Sequence, residues 1–175
     1  MKLKHFFVIF LFAALLCSQC RKHASDQLPP ATQTGAGTLG FTINGKVYKA
    51  NFPDAFATYI HENFPYPYGN GYFLTVGTNV SAWGIGLLTD SLQVFEGNTY
   101  LLNNSISSKG KAYAAYISNN KTYYTQPYLS GELSITKLDI FNKIISGTFW
   151  LDAIDTLSNA TVQIRDGRFD LHYTE

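Results

Sequence analysis

Beyond position 20 the sequence contains no cysteine; both thiols of its 175 residues, Cys17 and Cys20, lie at the N-terminal end. A disulfide framework and a thiol nucleophile are therefore excluded from everything that follows. Charge is scarce too, at 14% of residues, and the longest basic run is Arg21-Lys22. A nucleic-acid binder needs a concentrated basic face, so no nucleic-acid partner is expected. No HExxH pair, GxSxG elbow or glycine-rich phosphate loop occurs, which leaves zinc hydrolysis, serine acyl transfer and nucleotide chemistry without the residues they require. No catalytic residue, metal site or cofactor is expected. No long segment carries helical periodicity after the first sixteen residues.

What is present begins with a three-part N-terminus. Lys2, Lys4 and His5 form a basic head, Phe6 to Leu16 an unbroken apolar run, and Cys17-Ser18-Gln19 a small and polar ending. As a helix the run would reach about 16 Å, short of the roughly 30 Å of a bilayer core, so it reads as a secretory signal and not a span. The stretch LLCSQC resembles a bacterial lipoprotein signal, with Cys20 as the lipidated residue. Gln19 departs from the small residue usual before such a cysteine. The expected division is a lipoprotein signal peptide over 1–19, the lipidated Cys20 with a flexible linker to 37, and one domain over 38–175. Loss of Lys2 and Lys4 with the signal leaves 11 basic and 12 acidic residues, a formal charge of −1. Residues 21–37 hold no aromatic and one leucine, too little apolar surface to repay ordering. Such a tether spans roughly 20–25 Å when flexible.

From Thr38 onward the sequence turns rich in Tyr, Phe, Ile, Thr and Gly, and period-two alternation recurs. TLGFTI and KVYKA flank Asn44-Gly45, a strong hairpin signal that puts Leu39, Phe41 and Ile43 on one face with Tyr48 and Ala50. Further alternating runs bring the expectation to about nine strands. With no intervening helices, the predicted fold is all-β, a single antiparallel sandwich, with a partly closed barrel as the alternative. Asp166-Gly167 is read as the last turn. It sets Ile164 against Phe169 and Val162 against Leu171, with apolar and polar pairs sorted to opposite faces. Trp83 and Trp150 are expected in the core.

The run GELSITKLDIFNKIISGTFWLDAIDTLSNATVQIRDGRFDLHY resembles the ending of a family of small Bacteroidetes envelope lipoproteins of unknown function. There an ITK-D strand, an SGTFW strand and a DGRFD-Y ending follow in that order. LPPATQTG followed by NGK is similar to that family's start. The resemblance covers residues 26–48 and 131–173 and implies an envelope lipoprotein with a β-rich domain. It brings no catalytic residues.

The middle of the chain suggests a site. YIHENFPYPYGNGYF, residues 59–73, holds six aromatics, two prolines and two glycines. It reads as a stiff loop able to present rings cheaply, with Tyr66, Tyr68 and Tyr72 as ligand contacts; the bland alternative is that its rings cap the core. His61 and Glu62 are adjacent and point apart in a strand. Asp152 and Asp155 read as solvated turn acids in preference to a hydrolytic pair. Asp90-Ser91-Leu92 and Asp155-Thr156-Leu157 are similar to sites that Bacteroidetes O-glycosylate, which makes Ser91 and Thr156 candidates in accessible loops. The expectation is a non-catalytic binding or accessory module for a glycan or an envelope protein. It is held by its lipid on the outer membrane and faces the periplasm, with the cell surface as the alternative. A purely structural envelope protein comes second and a glycan-active hydrolase third.

Overall fold

A computed structural model describes residues 27–64, 69–105 and 108–175. Eleven strands and no helix occur among them: β1 (Thr38–Ile43), β2 (Lys46–Asn51), β3 (Ala55–Phe64), β4 (Gly69–Thr78), β5 (Trp83–Asp90), β6 (Thr99–Leu101), β7 (Lys111–Ser118), β8 (Lys121–Tyr124), β9 (Gly131–Asp139), β10 (Ile144–Asp155) and β11 (Ala160–Thr174). The all-β expectation holds, with eleven strands where about nine were read. All belong to one sheet that bends back on itself. β11 meets β3; β4, β5, β7 and β8 follow; β8 touches β10, and β10 pairs with β11 along most of its length. The two closing seams are narrow. β11–β3 is made by Tyr173↔Ala57 and Thr174↔Thr58, and β10–β8 by Ile154↔Tyr124 alone. The result is not a clean barrel; β1–β2 and β9–β6 extend the sheet as flanking pairs.

Alternation places the core. Leu39 and Phe41 of β1, Ala55 and Ala57 of β3, Leu74 and Val76 of β4, Leu133 and Ile135 of β9 and Phe149 and Leu151 of β10 are all buried. Phe41 stacks on Tyr48 and receives the edge of Trp83, with ring centres 5.4 and 5.3 Å away. The Asn44-Gly45 turn forms as expected, both residues at positive φ, with Leu39↔Ala50 and Phe41↔Tyr48 in register.

Asp166-Gly167 is not a turn. β11 runs straight through it, and Asp166, at φ 55°, is the extra residue of a bulge. Phe149 faces Gly167 and Leu151 faces Ile164, so one residue of β10 opposes two of β11. The bulge advances the alternation by one. Val162 and Ile164 point inward before it, and Phe169, Leu171 and Tyr173 after it. The predicted sorting of faces is therefore right and the predicted pairing wrong, because a bulge and a two-residue turn shift side-chain parity in the same way. The Asp166-Gly167 turn would have set Arg165 against Arg168; instead Arg165 lies in the bulge and binds Asp152 at 2.6 Å.

Two further expectations are corrected. Residues 59–73 are not one loop, because β3 and β4 pair from Ala55↔Thr78 out to Phe64↔Gly69. Nor is the segment up to residue 37 wholly a free tether. Residues 27–36 lie over the outer face of β1, β11 and β10, where Pro29 is buried and sits where a Cβ on Gly40 would be, 2.5 Å away. The clamp is Asp170, 1% exposed. Its Oδ2 accepts from Thr32 Oγ1 (2.6 Å), Thr34 N (3.0 Å), Thr34 Oγ1 (3.3 Å) and Ala36 N (3.1 Å), and its Oδ1 from Gly35 N (2.8 Å) and Ser146 Oγ (2.7 Å). Composition alone misses this, since the strap is ordered by its amides and hydroxyls around one buried carboxylate and not by apolar burial. The strap's TQTG and the ending's DGRFD thus meet at a single carboxylate.

Candidate functional site

A cleft of about 520 Å³ opens where β3, β4, the end of β11 and the β9–β10 turn converge. Its wall is aromatic. The β3–β4 register sets His61 opposite Tyr72 and Tyr59 opposite Leu74, so Tyr59, His61 and Tyr72 share the inner face. His61 stacks on Tyr72 with ring centres 4.3 Å apart and planes 26° apart. Tyr72 stacks in turn on Tyr59 at 5.8 Å, and Tyr59 takes the edge of Tyr173 at 5.9 Å. The gradient of exposure follows the ladder: Tyr59 and Tyr173 are buried, Tyr72 is half-buried and His61 is exposed. The core therefore grades into the cleft without a change of chemistry.

The base of the ladder is fixed. Tyr59 Oη accepts from the Val94 amide at 3.3 Å and lies 3.4 Å from the Val94 carbonyl, to which it donates. Burial pushes its phenol up to about 12, against the pull of the Val94 hydrogen bond. Burial also raises the Tyr173 phenol. At the rim, Lys143 Nζ and Glu175 Oε2 form an exposed ion pair at 3.2 Å. Beside it the β9–β10 turn carries Ile140, which lines the cleft, and Phe141, 92% exposed. Asp139 shapes that turn, its Oδ1 accepting from the amides of Phe141 and Asn142. The Asn142 side-chain and backbone donors hold the Asp139 carboxyl below its usual range. Stacked rings over an open cleft present flat apolar faces with phenol hydroxyls at their edges, which suits a ligand that is both ring-shaped and polar.

Of the expected contacts, Tyr72 is in the cleft wall. Tyr66 and Tyr68 lie in the β3–β4 connection, and Cys20 near the N-terminus; all three fall outside the described residues. Tyr59, His61 and Tyr173 went unrecognised. Hairpin arithmetic would have found the first two, since a turn centred on Pro65–Tyr68 puts His61 opposite Tyr72. Ser91 does not offer a free hydroxyl: it is half-buried at φ 49°, donates to Asp90 Oδ1 at 2.9 Å and lies against Gly71. Thr156 is exposed in the β10–β11 turn. That turn is capped by Asp155, which is buried and not solvated as expected. Its carboxyl is held low by the Ser158 hydroxyl and the Leu157 amide. Asp152 is engaged by Arg165, so each acid has a structural partner of its own. Trp83 packs against the core, whereas Trp150 is half-buried on the outer face, paired with Glu132. Among the described residues no three His, Cys, Asp or Glu side chains are grouped to hold a metal ion.

No protein-family model, no curated protein and no solved structure matches this chain.

Proposed function

We propose that the protein is an envelope-anchored, non-catalytic binding module that takes a glycan unit against the Tyr59–Tyr72–His61 wall. The observation that carries this reading is the stacked ladder. Three rings are held in one plane series by the register of a single hairpin, buried at one end and open at the other. A pyranose face packs on such a surface while its hydroxyls reach the phenol edges, and the cleft volume falls within the range of small-ligand sites. Preorganisation matters here, because rings already stacked lose little freedom on binding.

The anchor in this proposal is a lipid on Cys20, with the domain held at the outer membrane and facing the periplasm. Because Leu28 and Pro29 pack on Gly40 and residues 32 and 34–36 bind Asp170, seven residues (21–27) lie between Cys20 and the first packed residue, which limits its stand-off to about 25 Å at full extension. The module works close to the membrane surface, where a second acyl chain is needed for stable retention.

Calorimetric titration of the full chain with neutral oligosaccharides, alongside Tyr72→Ala and His61→Ala, tests the site. Loss of one stacking ring weakens affinity by about tenfold, equivalent to roughly 1.4 kcal/mol. A ligand bound equally well by wild type and both variants places recognition elsewhere. Absence of binding across the neutral panel favours the structural envelope protein instead.

A further inference from the structure

On the outer face of β9, β10 and β11 a second groove of about 430 Å³ shares no residue with the aromatic cleft. Two rows of side chains cross it. The first runs Arg168–Thr148–Ser134–Thr99 over β11, β10, β9 and β6, in direct register from strand to strand. Thr99 and Ser134 hydroxyls already bond each other at 2.8 Å. The second row sets Trp150 against Glu132, with the indole Nε1 donating to Glu132 Oε2 at 3.2 Å. Four strands at their usual spacing make the first row about 14 Å long.

The two arginines beside the bulge differ in their commitments. Arg165 is fully engaged: it donates to Asp152 Oδ1 and to the Leu151 and Ile164 carbonyls, and its guanidinium lies 5.5 Å from the centre of the Trp150 ring. It fixes the indole. Arg168 makes one hydrogen bond, from Nε to the Asp166 carbonyl at 3.3 Å, and pairs with no carboxylate among the described residues. Its terminal nitrogens remain available to an anion. Without the bulge Arg168 would point into the core, so the same parity shift that sorts β11 also delivers this cation to the groove.

We infer that this groove is a second binding site, for an acidic saccharide: a pyranose ring against Trp150, its carboxylate on Arg168, and its hydroxyls on the Thr148–Ser134 row and Glu132. A fork of guanidinium nitrogens matches a carboxylate. Glu132 and Asp166 line the groove and select against a polyanion without hydroxyls, because carboxylates repel charge while their oxygens left beside the Trp150 and Thr42 hydrogen bonds accept from hydroxyls. A ligand that carries both one anionic group per ring and several hydroxyls satisfies the two sides together, and a uronic-acid oligomer is that ligand.

The test is calorimetric titration of the full chain, in mild detergent and low salt, with trigalacturonic acid, its methyl ester and inorganic sulfate. The acid trimer binds; the ester, which keeps the rings and loses the charge, binds at least about tenfold more weakly. Arg168→Gln, checked for an unchanged thermal midpoint because Arg168 is half-buried beside the bulge, shows the same loss with the acid, and Tyr72→Ala shows none. The site is refuted if acid and ester bind alike, if Arg168→Gln matches wild type, if sulfate binds as tightly as the trimer, or if the trimer does not bind. Loss with Tyr72→Ala in place of Arg168→Gln assigns the acid to the aromatic cleft and refutes this site alone.

Discussion

Replacing Asp170 with Asn keeps the shape of the side chain and removes its charge, and the consequence can be worked from the contacts. Oδ1 takes Gly35 N and Ser146 Oγ, while Oδ2 takes Thr32 Oγ1, Thr34 N and Ala36 N. An amide nitrogen at either position faces at least one backbone N–H that cannot turn away. Hydrogen bonds to a charged acceptor contribute roughly 1.5–3 kcal/mol each. The loss is capped, however, because a released strap regains water and backbone freedom. The net cost is about 2–4 kcal/mol, and at roughly 2–4 °C per kcal/mol the melting midpoint falls by about 4–16 °C. Broad-specificity proteolysis should then cut within residues 27–37 while the strands remain protected. The pH dependence has a definite sign. Burial alone would raise the Asp170 carboxyl, but the donors from Thr32, Thr34, Ser146 and Gly35 outweigh it and hold the group well below its usual range. Its folded value lies below its unfolded one, so its contribution is complete above the unfolded value of roughly 3.9 and fades as pH falls below it. Wild type should exceed Asp170→Asn in stability at pH 6 and converge on it in acid. A midpoint within about 2 °C of wild type, with the strap still protected, would refute the clamp.

Five other outcomes follow from the same geometry. Gly35→Ala puts a Cβ at φ 73°, 2.5 Å from His172 Nε2, and should cost about 1–2 kcal/mol by thermal melting without touching the core. Deleting Asp166 removes the bulge and turns Phe169, Leu171 and Tyr173 outward, a loss of roughly 1.5–3 kcal/mol each, so no cooperative unfolding transition should remain. Asp166→Gly, suited to φ 55°, should by contrast melt within a few degrees of wild type. Tyr59, raised to about 12 by burial, should ionise among the last phenols in an ultraviolet titration; stability is complete below the unfolded value near 10 and is lost as pH rises toward 12. Finally, intact mass of protein from a native host should lose a hexose-type increment in Thr156→Ala and none in Ser91→Ala, since only the former hydroxyl stands in an open turn.

Much of this molecule was legible without coordinates because β-structure writes itself locally. Two positive-φ residues between alternating runs specify a hairpin, and Asn44-Gly45 did so with its register intact. Period two predicted the buried faces of β1 and β11, though it did not place Trp150, expected in the core and found on the outer face of β10; the lack of helical periodicity predicted the absence of helices among the described residues. For the candidate cleft, composition pointed to the stretch that supplies part of its lining and to Tyr72. It missed that the aromatics are paired across a hairpin, because Pro and Gly in the connection masked the alternation on either side.

Three features belong to the tertiary structure alone. Side-chain parity cannot separate a bulge from a turn at Asp166-Gly167; the partner strands on both sides of β11 decide it. A polar segment gives no sign of order until a buried carboxylate more than a hundred residues away gathers its amides, as Asp170 does for residues 32–36. The groove over Trp150 and Arg168 crosses three consecutive strands, but Arg168 faces it only because the bulge at Asp166, set by the pairing of β10 with β11, turns that side chain outward. Sequence determines what each short segment can be. Which segments meet is settled by the closure of the sheet, and the physical reason is that long-range pairing is selected by the packing of the whole and not by any local preference.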